Sequence, residues 1–91
     1  RNPGRPRNQF PEWKYQLGAL AAVLAQRGYS SKQIAVALCD ARARIFDKSL
    51  DQADAYRISS QYAPIRQMDS EDLLQSVGRY WEILPEYPPV K

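Results

Sequence analysis

Basic side chains are the most informative residues of this 91-residue sequence, because they are concentrated in its first half. Residues 1 to 48 carry nine Lys and Arg against three Asp and Glu, whereas residues 49 to 91 carry four against seven. The first part therefore has a net charge of +6 and the second a net charge of −3. Such an asymmetry favours a polyanionic partner for the N-terminal half. A mixed, solvated surface whose two ends attract each other explains the charge equally well.

Six of these basic residues are candidates for binding phosphates. They are Arg5 and Arg7 near the N-terminus and Lys32, Arg42, Arg44 and Lys48 in the middle of the chain. Ammonium and guanidinium groups neutralise phosphate charges, and binding of this kind releases counterions and is strongly salt-dependent. The residue types therefore predict a contact with a polyanion such as a nucleic acid.

The sequence lacks the residues that metal binding, disulfide formation and common kinds of catalysis require. The sequence contains no histidine and a single cysteine, Cys39, which excludes an internal disulfide, cysteine-based zinc ligation and histidine acid–base catalysis. Carboxylates gather where helices are predicted to begin, as at Asp69, Glu71 and Asp72, and capping explains them there. No glycine-rich phosphate loop or serine elbow is present. We therefore expect a non-catalytic protein without a cofactor, a metal or a small-molecule substrate.

The same composition bears on where the protein works. A lone cysteine in an apolar helix is usually a small core residue, and a free thiol fits a reducing, intracellular compartment, cytoplasmic or nucleoid-associated. No apolar run reaches the roughly 18 residues that a membrane span needs, and the N-terminus lacks a secretory pattern. The sequence begins at Arg1 without a methionine, so a fragment of a larger protein and a processed form both stay open.

The basic residues in the middle of the chain need a helix to position them, and residues 29 to 46 predict one. Ser30 and Gln33 have the spacing of a capping box. An apolar stripe at helical spacing follows, made of Ile34, Ala37, Leu38, Ala41 and Ile45. Arg42 and Arg44 lie about 80° to either side of this stripe. Both are therefore expected along the flanks of a packed helix.

A preceding helix is predicted from about Glu12 to Arg27. Its apolar stripe is made of Trp13, Leu17, Leu20 and Leu24. Gly18 weakens such a helix by about 1 kcal/mol relative to alanine, which is tolerable where another helix packs close. Arg27 followed by Gly28 is a typical helix end, and only a short connection separates it from the next helix. The two helices are therefore expected to be neighbours.

The short glycine-containing turn and the capped second helix resemble the first half of the helix-turn-helix family of DNA-binding proteins. The resemblance rests on Gln33-Ile34-Ala35 and Leu38, with the alanine as the small residue that lets two helices approach. It implies a turn at Cys39-Asp40, where the family usually has a glycine. It also implies a recognition helix from Ala41 to about Lys48, which would present the basic residues to DNA.

The alternative is one continuous helix from Ser31 to Asp47, since this segment contains no helix breaker. Val36, Cys39 and Ala43 then form a second apolar strip nearly opposite the first. A helix that is apolar on two sides has to be buried on both. This interpretation therefore predicts a second contact, either with the other half of the chain or with a partner chain, as in a homodimer.

Residues 1 to 11 contain three prolines and a glycine and are predicted to form an extended basic arm, because proline breaks the helical hydrogen-bond ladder. Gly4-Arg5-Pro6-Arg7 resembles part of the AT-hook, a minor-groove motif, although Pro3 occupies the place of the family's first arginine. The resemblance implies that Arg5 and Arg7 lie in the minor groove. A basic linker, or a tail that drapes over a protein partner, is the alternative.

Two further helices complete an all-α prediction. Ser49 and Gln52 have the spacing of another capping box, so a third helix is expected from about Leu50 to Gln61, followed by a loop at residues 63 to 68. A fourth helix is expected from about Ser70 to Ile83, ended by Pro85. We therefore predict a small bundle of about four helices at residues 12 to 84, with extended proline-containing tails at residues 1 to 11 and 85 to 91.

The predicted core and tails lead to two hypotheses about function. The expected core consists of Trp13, Leu20, Leu24, Ile34, Leu38, Ile45, Leu73, Val77 and Trp81. In the first hypothesis, a nucleic-acid-binding module, regulatory or architectural, places helix flanks on phosphates or in the major groove and its arm in the minor groove. In the second, a non-catalytic assembly or adaptor subunit binds protein partners through its helical core and proline-rich tails. The C-terminal tail then lies in a partner's groove instead of folding back over its own core.

Overall fold

A computed structural model describes residues 12 to 90, which form helices joined by short turns. Four are α-helices: α1 (Glu12–Gln26), α2 (Ser31–Phe46), α3 (Gln52–Gln61) and α4 (Ser70–Ser76). Two are 3-10 helices, the first at Ala63–Gln67, where a loop was expected, and the second at Gly78–Glu86. No strand occurs between residues 12 and 90, so the prediction of a small all-α bundle is confirmed.

Helix α1 lies at the centre of the bundle, because it contacts each of the other helices. All eight residues from Leu17 to Leu24 are buried, since this run is almost wholly apolar and the other helices cover it from several sides. Gly18 belongs to the run, and a Cβ built there would lie 2.5 Å from Tyr62 Cβ. The close approach expected at Gly18 is therefore confirmed.

Two local motifs form the corner between α1 and α2. After α1, Gly28 adopts a positive φ of 100°, and the N–H of Tyr29 donates to the carbonyl oxygen of Leu24 at 3.1 Å, as in a Schellman motif. At the start of α2, the N–H of Gln33 donates to Ser30 Oγ at 3.3 Å, and the N–H of Ser30 donates to Gln33 Oε1 at 2.9 Å. The predicted capping box is therefore confirmed.

Helix α2 is continuous from Ser31 to Phe46, and no turn interrupts it at Cys39-Asp40. It ends one residue earlier than expected, because Asp47 adopts a left-handed conformation with a φ of 55°. The N–H of Asp47 donates to the carbonyl oxygen of Ala43 at 3.0 Å, which closes the last turn. Of the two interpretations of this stretch, the single helix is the one that forms.

The two apolar strips of α2 differ in burial. Buried in the first strip are Ile34, Ala37, Leu38 and Ala41. In the second strip, Val36 is 44% exposed, Ala43 is exposed and Cys39 is half-buried. The rest of residues 12 to 90 therefore covers this strip only in part, and the homodimer inferred from it stays a prediction.

The start of the third helix differs from the expectation. Helix α3 begins at Gln52, and its N-cap residue is Asp51, whose side chain makes no capping hydrogen bond. Leu50 lies in the loop before α3 and packs against the core. The helix therefore begins after Leu50. The capping box predicted from Ser49 and Gln52 is therefore wrong, and so is the helix start at Leu50.

The predicted fourth helix is divided at Gly78. Helix α4 ends at Ser76, Gly78 takes a positive φ of 59°, and the second 3-10 helix continues through Pro85 to Glu86. A Cβ on Gly78 would lie 2.5 Å from Gln16 Nε2 of α1, so glycine allows both the conformation and the close approach. The continuous α-helix expected from Ser70 to Ile83 is therefore wrong, and so is its end at Pro85.

This division changes which residues enter the core. A single α-helix would place Trp81 one turn after Val77 on the buried stripe, but the new register buries Tyr80 completely and leaves Trp81 59% exposed. Six predicted core residues are buried: Leu20, Leu24, Ile34, Leu38, Leu73 and Val77. Trp13 and Ile45 are half-buried, and the prediction for Trp81 is wrong.

The C-terminal segment folds back on the corner between α1 and α2. Tyr29 Oη donates to the carbonyl oxygen of Pro88 at 2.6 Å, and the N–H of Val90 donates to the carbonyl oxygen of Arg27 at 2.8 Å. Arg27 Nη1 in turn donates to the carbonyl oxygen of Tyr87 at 2.9 Å. Of the two interpretations of this tail, packing over its own core is the one that the structure shows for residues 87 to 90.

Candidate functional site

Three basic side chains converge on two aromatic rings where α1 begins and α2 ends. The guanidinium carbon of Arg42 lies 4.1 Å from the centroid of the Trp13 ring and 5.5 Å from that of the Phe46 ring. The guanidinium carbon of Arg79 lies 5.2 Å from the Phe46 centroid, and Lys14 Nζ lies 5.6 Å from the Trp13 centroid. These separations are typical of cation–π interactions. We call these five residues the cationic cluster.

Three elements of the fold supply the cationic cluster. The first turn of α1 contributes Trp13 and Lys14. The end of α2 contributes Arg42 and Phe46, which lie on one face of the helix because they are four residues apart. The second 3-10 helix contributes Arg79. The cluster is therefore a product of tertiary packing, in which no single helix carries more than one of the three cations.

The fully buried Tyr80 supports this arrangement. Its ring packs edge-on against Phe46 with the centroids 5.2 Å apart, and its hydroxyl accepts a hydrogen bond from Arg42 Nη1 at 3.3 Å. Burial raises the pKa of Tyr80, although the contact with Arg42 opposes the shift. The neutral hydroxyl and the Trp13 ring together hold the Arg42 guanidinium in one orientation.

The cationic cluster carries little compensating negative charge. The ion pair that it makes with a described residue joins Arg79 Nε to Glu82 Oε2 at a long 3.8 Å, and the Arg79 side chain stays 61% exposed. Lys14 and Arg42 form no ion pair within residues 12 to 90. An exposed pair of this kind contributes little. Direct ion pairs therefore balance little of the charge of these three cations.

Arg44, the second arginine predicted on the helix flanks, has the opposite surroundings. Its two terminal nitrogens donate to the two carboxylate oxygens of Glu86 at 2.6 and 2.5 Å, and Nη1 also donates to Asp40 Oδ2 at 3.1 Å. These bidentate hydrogen bonds raise the pKa of Arg44 and lower the pKa of Glu86. Arg44 therefore joins α2 to the end of the second 3-10 helix, and two carboxylates balance its charge.

The other predicted phosphate-binding residues differ in their distance from the cationic cluster. Lys48 is exposed just beyond the end of α2, and its N–H donates to the carbonyl oxygen of Arg42 at 3.3 Å. Lys32 is exposed in the first turn of α2, sixteen residues before Lys48, or about 24 Å along a helix. Arg5 and Arg7 lie outside the described residues, in the segment that precedes α1. The structure thus groups Lys48 with Arg42 and separates Lys32 from both.

Sequence reasoning missed two of the three cations of the cationic cluster, Lys14 and Arg79. The spacing of Arg42 and Phe46 was a usable signal, because residues four apart share a helix face. No such signal linked Arg79 to the Phe46 ring, since that contact depends on how the second 3-10 helix packs on α2. The position of Lys14 likewise depends on how α1 meets the end of α2.

A second surface, of different character, lies on α4 and the segment that follows it. It is an open groove of about 490 Å³, bordered by Arg27 at the end of α1. Its apolar lining consists of Leu74, Trp81, Leu84, Pro85, Pro88 and Pro89. Leu74 is 41% exposed and Trp81 is 59% exposed. We call this surface the Trp81 groove.

Three further observations concern other kinds of site. Among the described residues, no group of His, Cys, Asp and Glu side chains is arranged to hold a metal ion. Cys39 is half-buried, and burial raises the pKa of its thiol, which favours the less reactive protonated form. None of the helices between residues 12 and 90 combines the length and the hydropathy that crossing a membrane requires.

No family model, curated protein or solved structure matches this chain. Within residues 12 to 90, the cationic cluster and the Trp81 groove are the two surfaces considered as candidate sites.

Proposed function

We propose that this chain is a nucleic-acid-binding module that holds duplex DNA against the cationic cluster. The observation that carries the proposal is the convergence of Lys14, Arg42 and Arg79 on two aromatic rings, with one weak carboxylate contact at 3.8 Å. Cations that lie close together without counter-charges repel each other, and a bound polyanion relieves this repulsion. The DNA backbone, with one negative charge per about 1.7 Å of duplex, is such a polyanion.

The aromatic rings suit the arginines to phosphate binding. A guanidinium stacked on a ring keeps its N–H edge free, and its planar fork matches two phosphate oxygens. The Arg42 guanidinium carbon lies 4.1 Å from the Trp13 centroid and its Nη1 donates to the Tyr80 hydroxyl before any ligand arrives, so Nε and Nη2 are the groups left for a phosphate. Less conformational entropy is therefore lost on binding. We assign phosphate contacts to Arg42 and Arg79, with Lys14 as a point charge beside them.

Residues outside the cationic cluster extend this proposed interface. Lys48 follows α2 at the same end and contacts a further phosphate. Arg5 and Arg7 lie in the adjacent minor groove, where the narrow groove of A·T-rich DNA has the stronger negative potential. Arg44 and Lys32 contribute less, because carboxylates balance the first and the second lies at the other end of α2.

A salt series with two fluorescent duplexes tests the proposal on the full chain. We expect the logarithm of the association constant to fall linearly with the logarithm of salt concentration, with a slope of about −0.9 for each phosphate contact. We also expect tighter binding to the A·T-rich than to the G·C-rich duplex, and loss of this preference when Arg5 and Arg7 are both replaced by glutamine. Absence of salt-dependent binding to either duplex would contradict the proposal.

A protein-binding assembly or adaptor subunit is the second candidate, and the Trp81 groove is the observation that favours it. Tryptophan is enriched among the residues that dominate interface energies, and Trp81 is 59% exposed. A protein complex whose affinity changes little with salt and falls on replacement of Trp81 by serine would favour this candidate. A complex that forms equally well with Trp81→Ser would count against it.

A further inference from the structure

A further pocket lies beside the cationic cluster, between the first turn of α1 and the exposed side of α3. It has a volume of about 280 Å³, and its apolar lining consists of Trp13, Leu50 and Ile58. Ile58 is buried, whereas Trp13 and Leu50 are only half-buried. Residues 12 to 90 therefore leave apolar surface open in this pocket. We call it the Leu50 pocket.

The polar lining of the Leu50 pocket carries little unbalanced charge. Arg57 Nη1 donates to Asp54 Oδ1 at 2.7 Å, so these two charges balance each other. The remaining polar residues are Gln61, which is neutral, and Lys14, which lies 5.6 Å from the Trp13 centroid. The volume of about 280 Å³ is just below the range of about 300–1,000 Å³ that is typical of small-molecule sites. A single uncharged apolar side chain therefore fits the pocket better than a charged ligand does.

The segment that precedes α1 contains one such side chain. Phe10 is the one large apolar residue among residues 1 to 11. It precedes Trp13 by three residues, so the two Cα atoms lie at most about 11 Å apart. A tether this short gives the phenylalanine ring an effective concentration on the order of millimolar or higher at the pocket. Phe10 of the same chain therefore has an advantage over any separate molecule.

We propose that Phe10 of the same chain occupies the Leu50 pocket and anchors the basic arm there. The ring lies against Trp13 and Leu50 and covers the apolar surface that the rest of the chain leaves open. Trp13 and Lys14 belong both to the pocket and to the cationic cluster. The anchored arm therefore begins beside the cluster.

This anchoring has a consequence for DNA binding, and that consequence alone rests on the proposed function. With Phe10 fixed, the Cα atoms of Arg7 and Arg5 lie within about 11 and 18 Å of the Phe10 Cα. The two arginines are thereby held close to the phosphates that the cationic cluster contacts, so less conformational entropy is lost when they enter the minor groove.

Thermal unfolding of the full chain without DNA, followed by circular dichroism, tests the anchoring. We expect the melting temperature of Phe10→Ser to lie about 4–8 °C below that of the wild type, the shift that loss of a modest apolar contact produces in a domain of this size. Gln9→Ser is the matched control, because it alters the neighbouring residue without removing an apolar side chain, and it should melt like the wild type. An unchanged melting temperature in Phe10→Ser would overturn the proposal.

Two further measurements locate the ring. In a Trp81→Phe background Trp13 is the one remaining tryptophan, and Phe10→Ser should shift its emission to longer wavelength because water enters the pocket. Phe10→Ser should also lower the melting temperature less in a Leu50→Ala background than in the wild type, since residues in contact are coupled. Fully additive effects of the two substitutions, or an unchanged Trp13 emission, would show that Phe10 packs elsewhere. A melting temperature that rises with protein concentration would assign the pocket to the Phe10 of another molecule, which would also overturn the proposal.

Binding to the A·T-rich and G·C-rich duplexes tests the consequence for DNA. Phe10→Ser should reduce the preference for the A·T-rich duplex, although Arg5 and Arg7 are both retained. An unchanged preference would show that the anchor does not guide the arm. Absence of salt-dependent binding by the wild type would contradict the proposed function, while the melting temperatures and the Trp13 emission would still decide the anchoring. The two failures are therefore distinguishable.

Discussion

The cationic cluster and the Trp81 groove each contain one of the two tryptophans, and they use it in opposite ways. Trp13 is half-buried and has the Arg42 guanidinium carbon 4.1 Å from its ring centroid, whereas Trp81 is 59% exposed in an apolar groove. In the cluster the ring supports a cation, and in the groove it is itself the contact surface. The two surfaces therefore offer different chemistry to a partner: cations held on aromatic rings in the first, and an open apolar surface in the second.

The second 3-10 helix connects these two surfaces. Arg79 belongs to the cationic cluster and Trp81 lines the groove, although only one residue separates them. The helix register that starts at Gly78 sets both positions, and Tyr80 between them is fully buried. Substitutions in the core or at Gly78 should therefore affect both surfaces. Substitutions of exposed charged residues should affect only the surface to which they belong.

The largest effect should come from the core that both surfaces share. Leu38 is completely buried on α2, so Leu38→Ala should lower the free energy of unfolding by about 2–5 kcal/mol. Urea denaturation followed by circular dichroism measures this change. Val36→Ala on the same helix is the control, because Val36 is 44% exposed and should change stability by only about 0.5 kcal/mol. A tolerated Leu38→Ala would show that the two surfaces do not depend on one core.

A smaller effect is expected at the register break. Gly78 has a φ of 59°, so Gly78→Ala should cost about 1–2 kcal/mol through the left-handed conformation and should displace the nearby Gln16 amide. The fluorescence of Trp81 should change with it, because the helix that carries this ring begins at Gly78. Ser76→Ala, which alters the helical residue just before the break, is the control. Unchanged stability together with unchanged fluorescence would mean that Gly78 does not set the register.

The smallest effect on stability concerns the ion pair between Arg44 and Glu86. Arg44 lowers the pKa of Glu86, so the pair stabilises the folded state fully above the ordinary glutamate pKa of about 4.3. This stabilisation is lost as the pH falls through the lower pKa of the folded state. The melting temperature of the wild type should therefore exceed that of Glu86→Gln at pH 7, and the difference should shrink in acid. A difference that does not depend on pH would contradict the role given to the pair.

Local patterns in the sequence were sufficient where the interacting groups are close along the chain. The capping box of Ser30 and Gln33 and the helix end at Gly28 were predicted because all their partners lie within a few residues. Trp81 was misplaced because the break at Gly78 depends on contact with Gln16 in α1. That contact has no signature in the local pattern, which predicted an uninterrupted apolar stripe.

At the candidate site, too, contacts between distant parts of the chain could not be predicted from the local pattern. Arg42 and Arg44 are equivalent in the sequence, on either side of one apolar stripe, and the helix that carries them was predicted correctly. Their surroundings differ because α1 brings Trp13 to the first and the second 3-10 helix brings Glu86 to the second. The sequence therefore indicated where positive charge lies on α2, but not which of these charges another part of the chain already balances.

Comparison of Arg79→Gln with Arg44→Gln in duplex-DNA binding across a salt series tests the role of the cationic cluster most directly. Each variant removes one positive charge, but Arg79 belongs to the cluster and Arg44 is paired with Glu86 and Asp40. We predict that the slope of log affinity against log salt becomes less negative by about 0.9 in Arg79→Gln and stays unchanged in Arg44→Gln. An equal change in both variants would show that binding follows net charge and would contradict a DNA interface at the cationic cluster.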